Sequence, residues 1–133
     1  MEPNVTNLGE LERAVLEFVW ENGECDVKSA YAAIGEEREI THNTVQSTFK
    51  RLWEKGLLSR WKEGHAYIYS PRVDRSELTE LLMGELVDEV AGAKIQVALE
   101  AFVNLADRAG EGTLEQLEEL VAARRSHRDK DDE

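Results

Sequence analysis

The sequence predicts a mainly α-helical protein with one small antiparallel β-hairpin, arranged as a winged helix-turn-helix followed by a C-terminal helical dimerisation domain. Three helical periodicities precede two short runs of β-forming residues. Basic residues are concentrated in the third helix and the hairpin, and after residue 73 the apolar positions recur with helical spacing only. We expect a winged helix over 1–73, a helical dimerisation domain over 74–126 and a flexible charged tail over 127–133.

The first three elements are predicted to be helices. A first helix spans 8–22 and carries one apolar stripe. Asp26 is positioned to cap a short second helix over 27–34. Thr41 is the natural N-cap of a third helix, which runs to about Lys55 before a glycine ends it.

The third helix has two chemically different faces. At 100° per residue its apolar side is formed by Val45, Thr48, Phe49, Leu52 and Trp53. The opposite side is formed by Asn43, Gln46, Ser47, Lys50 and Glu54. Asn and Gln can form two hydrogen bonds to adenine, Ser can bond to several base edges, and Lys reaches guanine or phosphate. The pattern therefore predicts a recognition helix for a DNA major groove.

Two strand-like runs follow, Leu57–Lys62 and Ala66–Ser70, joined by Glu63-Gly64-His65. Alternation places Leu58, Arg60 and Lys62 on one side of the first strand. The basic residues near the hairpin tip are typical of a wing beside a recognition helix.

The C-terminal part is predicted to contain three helices. They begin at Asp74 or Ser76, near residue 93 and at Thr113, and the second ends near residue 108. Their apolar side chains are numerous for so small a unit, which favours burial against a second copy of the chain. The alternative is that they pack back on the winged helix of the same chain. The expected dimer interface contains Leu78, Leu82, Leu86, Val90, Leu99, Phe102, Val103, Leu117 and Leu120.

Composition sets limits on the class of protein. The chain has 133 residues, 41% of them hydrophobic and 33% charged, and its longest apolar stretches fall far short of a membrane span. Its start lacks the basic and apolar regions of a signal peptide, and its one cysteine, Cys25, excludes an intrachain disulfide. We therefore expect a soluble cytoplasmic protein.

The net charge of −12 taken alone argues against a nucleic-acid partner. The segment 41–75, however, holds seven basic and three acidic residues, net +4, while 1–40 and 76–123 are net −7 and −9. Because fields decay over roughly 8–10 Å in salt, a local basic face can bind phosphate in an acidic protein. The alternative interpretation is an ordinary solvated charged face.

No motif indicates an enzyme, a metal site or a cofactor. His42, His65 and His127 are scattered and lack the spacing of zinc ligands. Cys25 is interpreted as a buried or idle thiol rather than a redox sensor.

Four stretches resemble the BlaI/MecI penicillinase-repressor family, which also includes copper-responsive CopY-type repressors. They are LGELERAVLEFVW (8–20), THNTVQSTFKRLWEKGLL (41–58), EGHAYIYSP (63–71) and GAKIQVALEAFV (92–103). The resemblance implies a dimeric winged-helix repressor. The resemblance also implies which positions face DNA. These are Thr41, Asn43, Thr44, Gln46, Ser47 and Lys50, and Thr41 is expected to contact phosphate. The residues that the resemblance implies as contacts to the DNA backbone are Arg51, Arg60, Lys62 and His65.

Three departures from the family pattern affect what it implies. Many relatives have Gly-Arg where this chain has Gly64-His65, so the contact between wing and phosphate is expected to be weaker or pH-dependent. Classical members are inactivated by cleavage of an Asn-Phe bond, and the matching pair here is Ala101-Phe102. The C-terminal Cys-x-Cys metal motif of the copper-responsive relatives is absent.

The expected function is sequence-specific repression by a homodimer on a palindromic operator in double-stranded DNA. An unidentified inducer or protease would relieve the repression. The alternative is a winged-helix module that binds a protein partner and does not bind DNA.

Overall fold

A computed structural model of the chain describes residues 2–92 and 94–132. It divides into two compact units, one running to Glu85 and one beginning at Leu86. Residues 1, 93 and 133, which begin or end predicted segments, lie outside the described residues. The division falls inside a helix rather than after residue 73, because the first turns of that helix belong to the core of the N-terminal unit.

Three helices open the N-terminal unit. They are α1 (Glu10–Asn22), α2 (Val27–Ala30), which continues into a π-helical turn (Tyr31–Gly35), and α3 (His42–Glu54). The predicted cap of α2 is confirmed, because the Asp26 side chain accepts a hydrogen bond from the Ser29 backbone N–H. α1 begins two residues later than predicted, with Gly9 at its N-cap.

The hairpin consists of β1 (Leu58–Glu63) and β2 (Ala66–Pro71), paired antiparallel with Arg60 opposite Tyr69. Gly64 has a φ of 64° in the two-residue loop, a conformation that favours glycine. Cys25 extends the sheet by one residue, because its backbone N–H and C=O both bond to Tyr69, at 3.0 and 2.8 Å. Burial raises the pKa of the Cys25 thiol to about 11, so this side chain stays neutral in the core.

The core of this unit lies between α1, α3 and the hairpin. The side chains that are at least 98% buried, excluding one threonine, are Val15, Leu16, Val19, Ala30, Val45, Phe49, Leu52, Leu57, Leu58 and Tyr69. Phe49 packs on Tyr69 with ring centroids 4.7 Å apart, which joins α3 to β2. The apolar face predicted for α3 is therefore the face that holds the helix on the body of the unit.

α4 (Arg75–Glu89) starts on this core. Asp74 caps it by accepting from the Glu77 N–H at 2.8 Å, and the Trp20 indole N–H donates to the Val73 carbonyl at 2.9 Å. Leu78 is only 7% exposed within the core, and Leu82 packs against it. Leu78 and Leu82 are therefore removed from the dimer interface expected from the sequence, because Leu78 is already buried within its own chain and Leu82 is partly covered.

The C-terminal unit contains the end of α4, then α5 (Ile95–Arg108) and α6 (Thr113–Asp131). Gly112, with a φ of 88°, precedes α6 and takes the N-cap position. The helix includes residues 127–131, where the sequence suggested a flexible tail. Arg128 and Lys130 lie in its last turn, where cations interact favourably with the helix dipole.

Gly35→Ala is expected to destabilise the chain by about 1–2 kcal/mol. A β-carbon at Gly35 would lie 2.3 Å from the Tyr31 Cδ2 atom, so the ring would have to move. The matched control is Gly84→Ala in α4, where a β-carbon meets nothing within 4 Å and should stabilise by up to about 1 kcal/mol. Urea unfolding at fixed protein concentration measures both, and equal stabilisation by the two changes would contradict the packing of Tyr31.

Candidate nucleic-acid interface

The N-terminus of α3 is fixed by its own threonines. The Thr41 hydroxyl oxygen accepts from the Thr44 N–H at 3.2 Å, which confirms Thr41 as the N-cap. The two hydroxyl groups also lie 3.0 Å apart and share a hydrogen bond. Both side chains therefore hold the first turn of the helix. Their shared hydrogen bond uses one of the two hydroxyl protons, so the other proton remains available to a ligand.

A row of polar side chains runs along the exposed side of α3. Asn43, Gln46, Ser47 and Lys50 are all exposed, and their spacing of three and four residues places them on one helix face. Among the described residues, no hydrogen bond engages the side chains of Asn43, Gln46 or Lys50. Ser47 differs, because its hydroxyl lies 3.0 Å from the Asn43 carbonyl and 3.1 Å from the Thr44 carbonyl. Ser47 therefore offers an acceptor, and the other three offer free donors.

The C-terminal end of α3 is tied to α1. Lys55 Nζ lies 2.7 Å from Glu12 Oε2, and these side chains are only 19% and 11% exposed. Partial burial reduces solvent screening, so this pair holds the helix end better than a surface ion pair would. Arg51, in the last turn, is exposed and donates to the Thr48 hydroxyl at 3.2 Å. The helix α3 is thus fixed at both ends.

The tip of the hairpin carries the other predicted contacts. Lys62 and His65 are exposed, and Lys62 Nζ lies 5.5 Å from the centre of the Tyr67 ring. The neighbouring Trp61 indole N–H donates to Glu63 Oε1 at 3.2 Å. Lys62 is therefore a solvated cation on an aromatic support, a suitable form for a contact with phosphate.

Arg60 is placed differently from the other basic residues. Its guanidinium carbon lies 3.5 Å from the centre of the Trp53 ring and 4.0 Å from the centre of the Tyr67 ring. Trp53 belongs to α3 and Tyr67 to β2, so the side chain bridges the recognition helix and the wing. This bridge was not predicted from the sequence, although the strand alternation that places Leu58 and Arg60 on one side was a signal for it.

The C-terminal unit exposes many apolar side chains. Those more than 45% exposed are Leu86, Val90, Ile95, Val97, Leu99, Val103, Leu105, Leu120 and Val121. Phe102 and Leu117 are partly exposed, and Ala101-Phe102 lies within α5. Among the described residues of this unit, Ala98 is the only apolar residue whose side chain is buried.

Within the described ranges, no helix combines the length and apolarity needed to cross a membrane.

The fold and the polar face of α3 define a winged-helix DNA-binding transcriptional regulator. The chain belongs to the penicillinase repressor family, whose model matches residues 8–123.

Known relatives agree with this assignment. The chain is 30% identical over 120 residues to the transcriptional regulator BlaI of Mycobacterium tuberculosis, covering 89% of this chain and 85% of that protein. It is 23% identical over 77 residues to the penicillinase repressor of Bacillus licheniformis, covering 58% and 60%. The solution structure of the DNA-binding domain of the repressor BlaI aligns with a TM-score of 0.51 at 22% identity, covering 57% of this chain and 93% of that domain. This last likeness shows the shared winged-helix fold.

Proposed function

We propose that the chain represses transcription as a homodimer that binds a palindromic operator in double-stranded DNA. The observation that carries the proposal is the exposed row Asn43, Gln46, Ser47 and Lys50 on a helix whose opposite face is buried. Free amide and ammonium groups on one face of a rigid helix are suited to reading base edges in a major groove. In this proposal Thr41 and Thr44 fix the start of that helix close to the DNA.

Exposed basic residues beside this row support backbone contacts. Lys62 and His65 at the wing and Arg51 at the end of α3 are all exposed. We assign these three side chains to phosphate oxygens, because phosphate contacts fix the register of a protein on DNA without specifying sequence. Arg60, which the family resemblance placed in the same group, differs from them because it is only partly exposed.

The apolar surface of the C-terminal unit supports the homodimer. Monomeric proteins rarely expose so many large apolar side chains in so short a segment. The proposed interface, after the removal of Leu78 and Leu82, consists of Leu86, Val90, Leu99, Phe102, Val103, Leu117 and Leu120. A two-fold dimer of this kind would present two recognition helices to two half-sites.

Salt dependence tests the DNA-binding part of the proposal. If Arg51 and Lys62 each neutralise one phosphate in both protomers, the slope of log affinity against log salt should be about −3.6. The measurement is duplex binding at several salt concentrations, with a 30-base-pair duplex enriched by the protein from a random pool.

The charge control is Arg13→Ala, which removes an exposed cation from α1 outside the proposed contact surface. It should leave the slope unchanged. A flat slope for the native protein, or no binding at low salt, would favour the protein-binding module instead.

A further inference from the structure

We infer that Arg60 is a positioning residue, which fixes the wing against the recognition helix and makes no phosphate contact of its own. The inference rests on the proposed DNA-binding function and changes the role of one residue within it. Arg60 contacts both the Trp53 and the Tyr67 ring, with its guanidinium carbon 3.5 and 4.0 Å from their centres. Each distance is well within the roughly 6 Å range of a cation–π interaction.

The strand register explains why Arg60 lies in this position. Arg60 is opposite Tyr69 and Lys62 is opposite Tyr67, so these four side chains share one face of the hairpin. Tyr69 is 2% exposed and packs on Phe49 of α3, which shows that this face turns toward the helix. Arg60 is therefore on the inner side of the wing, and it is only partly exposed, whereas Lys62 is exposed.

The chemistry of the guanidinium suits this position. Its planar faces are only weakly hydrated and stack on aromatic rings, whereas an ammonium group is a compact, strongly hydrated charge. The stack links α3 and β2 beyond the Phe49–Tyr69 contact, nearer the tip of the wing. Without it, Lys62 and His65 would be held less firmly relative to the bases read by α3, and binding would be weaker.

The test compares Arg60 with Lys62 in the full-length protein, using the enriched 30-base-pair duplex. Lys62→Ala should weaken binding and reduce the salt slope by about 0.9 for each phosphate that is no longer neutralised. Arg60→Ala should weaken binding about three- to tenfold, the effect of removing one cation–π stack, with the slope unchanged. Arg60→Lys keeps the charge but removes the planar group, so it should behave like Arg60→Ala.

A double-mutant cycle with Tyr67→Leu provides the second measurement. Tyr67→Leu keeps the net charge and removes one ring of the stack, so it should weaken binding with no change in slope. The double variant Arg60→Ala/Tyr67→Leu should bind about as well as Arg60→Ala alone, because Arg60→Ala already removes the contact between Arg60 and Tyr67. Additive losses of affinity would overturn the inference.

The free protein offers a readout that needs no DNA. The side-chain protons of Arg60 should resonate upfield of those of the exposed Arg13, because two aromatic rings lie with their centres within 4.0 Å of the guanidinium carbon. Arg60 chemical shifts equal to those of Arg13 would overturn the inference. It would also be overturned if Arg60→Ala reduced the salt slope of binding while Arg60→Lys kept the native slope. If the native protein binds no duplex, both this inference and the proposed function fail, whereas binding with such a fall in slope overturns the inference alone.

Discussion

Gln46→Ala and Lys50→Ala are each expected to weaken binding to the preferred duplex by about 1–3 kcal/mol, roughly a tenfold to hundredfold loss. Both side chains are exposed on α3, and no side-chain hydrogen bond within the described residues would have to break when they bind DNA. Their removal therefore costs interactions with DNA and little stability of the protein.

The two variants should differ in a diagnostic way. Gln46 is neutral, so Gln46→Ala should leave the salt slope unchanged and relax sequence preference at one base pair in each half-site. Lys50→Ala should relax sequence preference at one base pair if Lys50 contacts guanine. It should reduce the salt slope if Lys50 contacts phosphate.

The measurements are binding to a panel of single-base-pair variants of the duplex and titration with salt. Arg13→Ala serves as the control for the removal of a surface cation. Uniformly small effects of Gln46→Ala and Lys50→Ala on the binding free energy, below about 0.5 kcal/mol, would contradict the assignment of this face to the major groove.

Local signals in the sequence were sufficient for the elements of the N-terminal unit. The Asp26 and Thr41 caps depend on a side chain and a backbone group three residues apart, so residue type and spacing predict them directly. Helical periodicity also separated the faces of α3, because one side must meet the core. The same periodicity placed the polar row before any tertiary information was available.

The features that the sequence did not predict depend on contacts between distant segments. Leu78 has the same helical spacing as Leu86, and periodicity cannot tell which of them meets the winged-helix core. The stack at Arg60 requires a helix end and two strands to meet. The helical conformation of residues 127–131 was missed because charge composition was interpreted as disorder, although arginine and lysine are good helix formers.

Val103→Asp is expected to have the largest effect of all the substitutions, because it acts on the proposed homodimer interface. In a two-fold interface each substitution appears twice, so one change buries two unpaired carboxylates. Leaving a buried charge without a partner costs about 3–5 kcal/mol, which would leave the protein monomeric at micromolar concentration. Sedimentation should then give the 15.1 kDa mass of one chain, in contrast to a native dimer of about twice that mass.

The chain offers a matched control on the same helix. Val97 is 49% exposed and Val103 is 48% exposed, but they lie about 120° apart around α5. Only Val103 shares a face with Leu99 and Phe102, so Val97→Asp should leave the dimer intact. The loss of the dimer in Val103→Asp should also reduce operator affinity by about 10²–10⁴-fold, since the two half-sites would no longer be bound by linked protomers. A native chain that sediments as a monomer, or a Val103→Asp variant that remains dimeric, would remove this surface from the proposed mechanism.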